Sequence, residues 1–288
     1  MNNFSCDRFD RRRKYYLVLD CETATLPYAQ KFNGIQRQAV AIAKPLIYDL
    51  GWQIIDRQGK VYERKNFLIT EIFSVPAVFN TAYYASKRPL YLEKLKKGEI
   101  ILTDWNSAAA ELERAMEHCE AVGAYNSMFD FKKAIPFTEL YISKLYSPDF
   151  YDWEKMQNGI CDRLAVGHKF NSKDFDGDSF LFRGKSYPLF DLWGMSCEHL
   201  LNNDDYKQMC VDYGWQTASG KYFKTSAETA YRYMTGNVEF DEAHTAIEDV
   251  TIERELFVQI VRKKISNLTI GITYFPFRIL GTVENFAY

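Results

Sequence analysis

The chain is predicted to fold as a mixed α/β sheet covered by helices, on three observations. The run Tyr15–Asp20 is short, apolar and rich in aromatic and β-branched residues, which reads as a buried strand. Two further runs, Leu46–Asp56 and Val61–Thr70, flank the turn-forming Arg57-Gln58-Gly59-Lys60 and read as an antiparallel hairpin. Downstream, segments of helix and strand character alternate. An early hairpin followed by that alternation predicts a mixed sheet with helices on its faces.

The elements follow in order. Asn106–Glu120 is rich in helix formers, with Asn106 or Ser107 as the cap. Ala121–Asn126 returns as a short strand. Phe129 opens a helical segment expected to stop at Pro136, and Asp162 precedes another. Residues 170–240 lose regular patterning and are expected to form an insertion or lid. Within them, Thr225-Ser226-Ala227-Glu228 is a capping-box pattern that opens a helix ending near Thr235-Gly236. An amphipathic helix covers most of Thr245–Lys264. Residues 1–264 are therefore expected to form one domain, and residues 265–288 a tail packed on it or on a partner.

Composition sets bounds on function. Of 288 residues, 47% are apolar and 26% charged, an ordinary globular balance. Lys plus Arg number 36 against 38 for Asp plus Glu, a net charge of −2 that excludes a uniformly basic coat but not a local basic groove. No run approaches the ~20 apolar residues of a membrane span, and the basic N-terminal stretch lacks the apolar segment of a secretory signal. The six cysteines contain no CxxC pair, so neither a zinc site nor a disulfide framework is expected. Reduced thiols in a cytoplasmic protein with no membrane association fit best.

Some local patterns dissolve on inspection. Asp174-Phe175-Asp176-Gly177-Asp178 resembles a calcium loop, but Ser179 occupies the sixth position and Lys185 the last. Gly184-Lys185-Ser186 lacks the upstream glycine of a phosphate loop, and Gly220-Lys221 precedes Tyr222 where Ser or Thr is required. His118, His168 and His199 stand without partner motifs and read as packing or surface residues.

Three pieces do carry chemistry together. Asp20-Cys21-Glu22 ends the first predicted strand, where period-two alternation puts both carboxylates on one face and Cys21 on the other. Such a pair repels itself without a cation between its members. Asn126-Ser127-Met128-Phe129-Asp130 sits at a strand-to-helix junction. His244-Thr245-Ala246-Ile247-Glu248-Asp249 precedes the last helix. Five helical steps rotate by about 140° net, so His244 and Asp249 converge only if His244 lies on the loop entering the helix. Each piece alone reads equally as a turn, a first-turn acid or a capping region.

In this order, Asp-x-Glu, Asn-x3-Asp and His-x4-Asp resemble the motifs of the DEDD (DnaQ-like) 3′→5′ exonuclease superfamily, in its His-containing (DEDDh) subclass. Thr245 stands where the alternative subclass would need a tyrosine. Ala24-Thr25 departs from the usual Thr-Gly after the first motif. The resemblance implies a ribonuclease-H-like fold, with Asp20, Glu22, Asp130 and Asp249 as metal-binding carboxylates and His244 as general base. Hard oxygen donors suit two Mg2+ or Mn2+ ions. In such enzymes Asp20 would bridge both ions, Glu22 and Asp249 complete the first site, and Asp130 support the second. Two ions about 3.5–4 Å apart would clamp the scissile phosphate, while neutral His244 takes a proton from water. Thr23 and Asn126 are candidate substrate contacts, though Asn126 also suits a role in ordering the turn around Asp130. Asp162 reads as a contact near the site or as a helix cap.

The resemblance points to a metal-dependent exonuclease acting on single-stranded 3′ ends, with DNA favoured over RNA and a replication or repair protein as a candidate partner. An exoribonuclease or oligonucleotide-degrading enzyme is the alternative, and a non-catalytic nucleic-acid-binding subunit a third reading. Two basic clusters could hold a strand: Arg8, Arg11, Arg12, Arg13 and Lys14, and Lys87, Arg88, Lys94, Lys96 and Lys97 beside Tyr83, Tyr84 and Tyr91. Phe180, Phe182 and Trp193 are candidates to pack over an unstacked base, or else form a small core of their own.

Overall fold

Strand β1 (Tyr16–Ala24) is central because both of its faces are apolar over its first half. Leu17 and Leu19 enter one hydrophobic cluster, while Tyr16 and Val18 enter the other. The computed structural model describes residues 9–10, 12–166, 179–263 and 275–286. Strand β2 (Leu46–Ile55), buried along its whole length, pairs antiparallel with β1 and with β3 (Val61–Ile69). Strands β4 (Ile101–Thr103), β5 (Ala121–Ala124), β6 (Ser179–Phe182) and β7 (Lys185–Asp191) complete one seven-stranded sheet in the order β4-β3-β2-β1-β5-β7-β6. Pairs β1–β5, β5–β7 and β3–β4 are parallel, and β6–β7 is antiparallel. An antiparallel trio flanked by two parallel strands is the ribonuclease-H-like arrangement.

Among the described residues, the helices of nine residues or more are α1 (Gly34–Ala43), α2 (Arg88–Lys97), α3 (Trp105–Met116), α4 (Ile135–Leu145), α5 (Phe150–Ala165), α6 (Asp204–Asp212), α7 (Ala227–Thr235) and α8 (Ala246–Val261). Helix α8 lies across β1 and β2 and buries Val250, Leu256, Phe257 and Ile260. No helix of the described residues is long and apolar enough to cross a membrane.

Several local expectations are corrected. The first strand runs past Asp20 to Ala24, because β2 continues to pair with it through a bulge between Glu22 and Thr23. Asp104, not Asn106 or Ser107, caps α3 and accepts from the Ser107 amide at 2.9 Å. The helix at Phe129 does not stop at Pro136. A π-helical turn over Asp130–Ala134 leads into α4, and the proline falls in the first turn of α4, where a missing N–H costs nothing. Asp162 is inside α5 rather than ahead of a helix, and it accepts from Tyr28 and Lys31. Ser226, one residue after the expected position, caps α7, and Gly236 closes it at φ 71°.

The segment 170–240 is more than an insertion, because it supplies the inner strand β7. Pro188 faces β6, and pairing with β5 begins at the next residue, Leu189. Phe180 and Phe182 are buried against Phe131 and each other, so they belong to the core and not to a base-stacking wall. The Arg183-Gly184 turn, at φ 48° and 84°, closes the β6–β7 hairpin, and Lys185 pairs with Glu113 and Glu117. His118 stacks on Phe9 at 4.6 Å, while His168 and the acidic run 174–178 lie outside the described residues. Cys21, Cys119, Cys161, Cys197 and Cys210 are free, as expected, and Cys6 lies outside the described residues.

Gly51 sets how closely α8 approaches the sheet. A Cβ at this position would lie 2.7 Å from the Ile247 nitrogen and 2.9 Å from the Ala246 carbonyl carbon, both backbone atoms of the first turn of α8. Backbone cannot rotate aside as a side chain can. Gly51→Ala is therefore expected to destabilise the fold by roughly 1–3 kcal/mol, the usual cost of overpacking. Urea denaturation checks this, and an unchanged midpoint would show that α8 can retreat freely.

Candidate active site

Alternation along β1 puts Asp20 and Glu22 on the α8 face, continuing the row of Tyr16 and Val18. Beyond Val18 the strand leaves its ladder with β5. Asp20 and Glu22 thus project into the crevice where parallel strands end, the usual place for a site in α/β sheets. Cys21 points the other way, and its thiol donates to Asp130 Oδ1 at 2.9 Å.

Asp130 is placed by the turn after β5. Asn126 accepts from the Phe129 amide through its side chain at 3.2 Å, and its carbonyl accepts from the Asp130 amide at 3.1 Å. Asn126 thus orders the turn that aims Asp130, while Ser127 is held from below by Asp191 and the Phe190 carbonyl. Thr23 follows the β1 bulge and is partly buried beside Glu22.

His244 lies outside α8, on its entering loop, at φ 50°. That left-handed conformation is costly for a residue with a Cβ. The loop is held by contacts on both sides. The imidazole stacks on Tyr84 with ring centroids 4.5 Å apart and 14° between planes, and its Nδ1 lies 3.6 Å from Glu242. Lys87 donates to the carbonyl of Ala243. With His244 outside the helix, one ligand atom each from Glu22, His244 and Asp249 falls within 4.8 Å of the others.

Two residues that the motifs do not include complete the cluster. Asp49, fully buried and opposite Glu22 in the β1–β2 register, accepts from Asn66 at 2.6 Å and from the Ala246 amide at 3.0 Å, so β2 caps the N-terminus of α8. Glu253 is 2% exposed and lies one turn beyond Asp249. The Glu253 signal was readable, since i and i+4 share a helix face. Asp49 needs the strand register, which the sequence does not state.

The electrostatics are those of crowded, desolvated acids. Burial pushes the Asp20 carboxyl well above its ordinary range, reinforced by Glu253, Asp130, Asp249 and Glu22. Glu22 is likewise pushed well up by burial and by Asp249 and Asp49, with Lys87 opposing. Burial raises Asp130 to about 7 against the hydrogen bond from Cys21. Asp249 is raised to about 8 by burial and Glu242, with the His244 amide and Lys87 opposing. Burial and then Lys87 lower the His244 imidazole, which favours its neutral form.

Of the two basic clusters, one segment reaches this crevice: Tyr84 and Lys87. Lys94 is paired with Glu248 at 2.8 Å, Lys97 with Glu93, and Tyr91 is core. Arg12, Arg13 and Lys14 pair with Asp10, Asp56 and Glu120 near the opposite end of β1, and Arg8 and Arg11 lie outside the described residues. Trp193 donates to Thr225 and is packed by Phe277.

The donor set fits hard divalent cations. Apart from His244 its members are carboxylates, and Asp249 Oδ1 and Glu253 Oε2 are buried without a hydrogen-bond partner. Buried carboxylates in that condition call for a proton or a cation.

No family model matches the chain, and no curated protein matches it. Among solved structures, the crystal structure of cell-death related nuclease 4 (CRN-4) is similar to it, at 10% identity and a TM-score of 0.35, over 87% of this chain. The match spans 64% of that nuclease's chain. The fold assignment rests on the strand order.

Proposed function

We propose that this protein is a metal-dependent 3′→5′ exonuclease acting on single-stranded nucleic-acid ends, with DNA favoured. One observation carries the reading. Four acids from three separate segments, Asp20, Glu22, Asp130 and Asp249, converge with a loop-borne histidine at the strand ends of a ribonuclease-H-like sheet. The motif resemblance to the DEDDh exonucleases supports it.

Glu22 and Asp249 would hold one Mg2+ or Mn2+ ion and Asp130 a second, with Asp20 between them. When bound, the ions would supply charge stabilisation to both the attacking and the leaving oxygen of the phosphodiester. The chain's own residues do the rest. His244 Nδ1 faces Glu242, which leaves Nε2 to take the proton of the attacking water. Tyr84 keeps the ring plane fixed, and Lys87 sets positive charge where a substrate phosphate would enter. Thr23, next to Glu22 after the bulge, would meet the terminal nucleotide.

Metal and protons compete for the same oxygens, and that fixes a sign. Asp130 and Asp249 have folded-state values of about 7 and about 8, raised from the ordinary 3.8. The metal-free fold therefore holds protons that the unfolded chain has released. Its stability is full at low pH and is lost as pH rises through the folded values. Melting of metal-free protein is expected to be higher at pH 5.5 than at pH 8. At one fixed Mn2+ concentration the melting temperature should rise more at pH 8 than at pH 5.5, since a site held at 100 times its Kd gains about 2.7 kcal/mol of stability and protons weaken that Kd at the lower pH. Equal metal shifts at both pH values would remove the carboxylates as ligands.

His244→Ala is expected to slow turnover roughly 10²–10⁴-fold while leaving Mn2+ binding largely intact. The acid limb of the wild-type rate profile should fall below the ordinary histidine value of about 6.5. An unaltered rate in the variant would take His244 out of the mechanism.

Matched 5′-labelled DNA and RNA oligomers, with magnesium or excess chelator, test the activity. The expected result is a descending ladder with DNA, none with chelator, and resistance of a 3′-phosphorylated end. Full activity in chelator would overturn metal dependence, cutting of closed circles would overturn end recognition, and faster loss of RNA would overturn the DNA preference.

A further inference from the structure

Glu253 is the buried acid that the proposed mechanism leaves without a task. It sits on α8 four residues after Asp249, on the same face, at 2% exposure. The Tyr125 amide donates to its carboxylate, but its Oε2 has no hydrogen-bond partner. Its strongest charged neighbours, Asp130, Asp249 and Glu242, are all acidic. The flanking buried residues of α8, Val250, Leu256 and Phe257, are apolar. A side chain serving packing alone would be apolar there too, because a buried carboxyl with one oxygen left without a partner costs free energy that Leu or Met would not.

Helix and strand spacing explain what Glu253 faces. Two residues of β1 advance about 6.7 Å, and four residues of α8 about 6 Å. The two intervals nearly match, so the acids of the strand and of the helix form two rungs. Glu22 and Asp249 make one rung, joined by His244 within 4.8 Å. Helix α8 runs antiparallel to β1, since Asp49 opposite Glu22 accepts from the Ala246 amide and Tyr16 packs on Phe257 at 5.2 Å, so Asp20 and Glu253 both fall between these two contacts. Asp130 borders this second rung from the β5 side, where it accepts from the thiol of Cys21, the neighbour of Asp20 in β1.

We propose that Glu253 is a fifth acidic member of the metal site, holding the second divalent cation together with Asp20 and Asp130. This rests on the reading of the site as a metal-dependent nuclease centre. It assigns the two rungs different occupants: the outer one, beside His244, takes the first cation, and the inner one takes the second. The inner cation is held from three sides, by β1, by the turn after β5 and by α8.

The test is Mn2+ titration of the metal-free full chain, read by electron paramagnetic resonance, so that binding is measured without turnover. Wild type is expected to bind two Mn2+ per chain. Glu253→Gln, nearly isosteric and uncharged, should keep one Mn2+ and weaken the other at least about 10-fold, in the range seen when supporting groups of metal sites are removed. Glu253→Asp, which keeps the charge but withdraws it by one methylene, should weaken the same site less, and it serves if the glutamine variant does not fold. Without metal, Glu253→Gln should melt no lower than wild type. Two Mn2+ bound by Glu253→Gln with wild-type affinity would overturn the assignment while leaving the nuclease reading intact. Wild type binding no Mn2+ would overturn that reading and this one with it.

Discussion

The contact between Gly51 of β2 and the first turn of α8 governs the geometry of the crevice. Because Gly51 has no side chain, the backbones of strand and helix come together with no spacer between them. Gly51 pairs with Asp20 across the hairpin, so the closest approach of α8 falls beside the first acid of β1. Asp49, two residues earlier, accepts the Ala246 amide and fixes where the helix begins. A longer side chain at position 51 would lift α8 away and carry Asp249 and Glu253 with it.

That closeness has an electrostatic consequence. Acids from β1, β2, the turn after β5 and α8 share one desolvated crevice, and Lys87 is the cation that opposes several of them. Burial raises the carboxyls of Asp130, Asp249 and Glu22 together, which favours protons on the metal-free cluster. In the proposed function, cations would take the place of those protons. His244 responds in the opposite direction, kept neutral by burial and by the same lysine.

Proximity in sequence proved a poor guide to the substrate surface. Tyr83, Tyr84 and Tyr91 lie close along the chain, yet Tyr83 is exposed, Tyr84 stacks on His244 and Tyr91 is fully buried. Tyr83 and Tyr84 lie in the turn ahead of α2 while Tyr91 lies within the helix, so a basic-aromatic cluster in one dimension is dispersed in three. Phe180 and Phe182 show the same effect. Strand β6 faces the core at alternate positions, leaving Leu181 exposed between them.

The sequence by itself determined the mixed sheet, the early hairpin, the side-by-side carboxylates of Asp20 and Glu22, and the need for His244 to precede its helix. Each of these follows from local periodicity, two for strands and 3.6 for helices, the latter keeping His244 and Asp249 off one face of a single helix. Strand β7 escaped because Pro188 interrupts its pattern, and the proline is tolerated only because pairing with β5 starts after it. Asp49 and the contacts of Tyr84 and Lys87 with the His244 loop were decided by tertiary structure alone, and for Glu253 the helix spacing was legible but the depth of its burial was not. Their roles depend on strand register, on the depth to which α8 settles over Gly51, and on a loop folding back from the far end of β3. Such quantities arise from packing between segments up to 200 residues apart, and no local pattern in the chain encodes them.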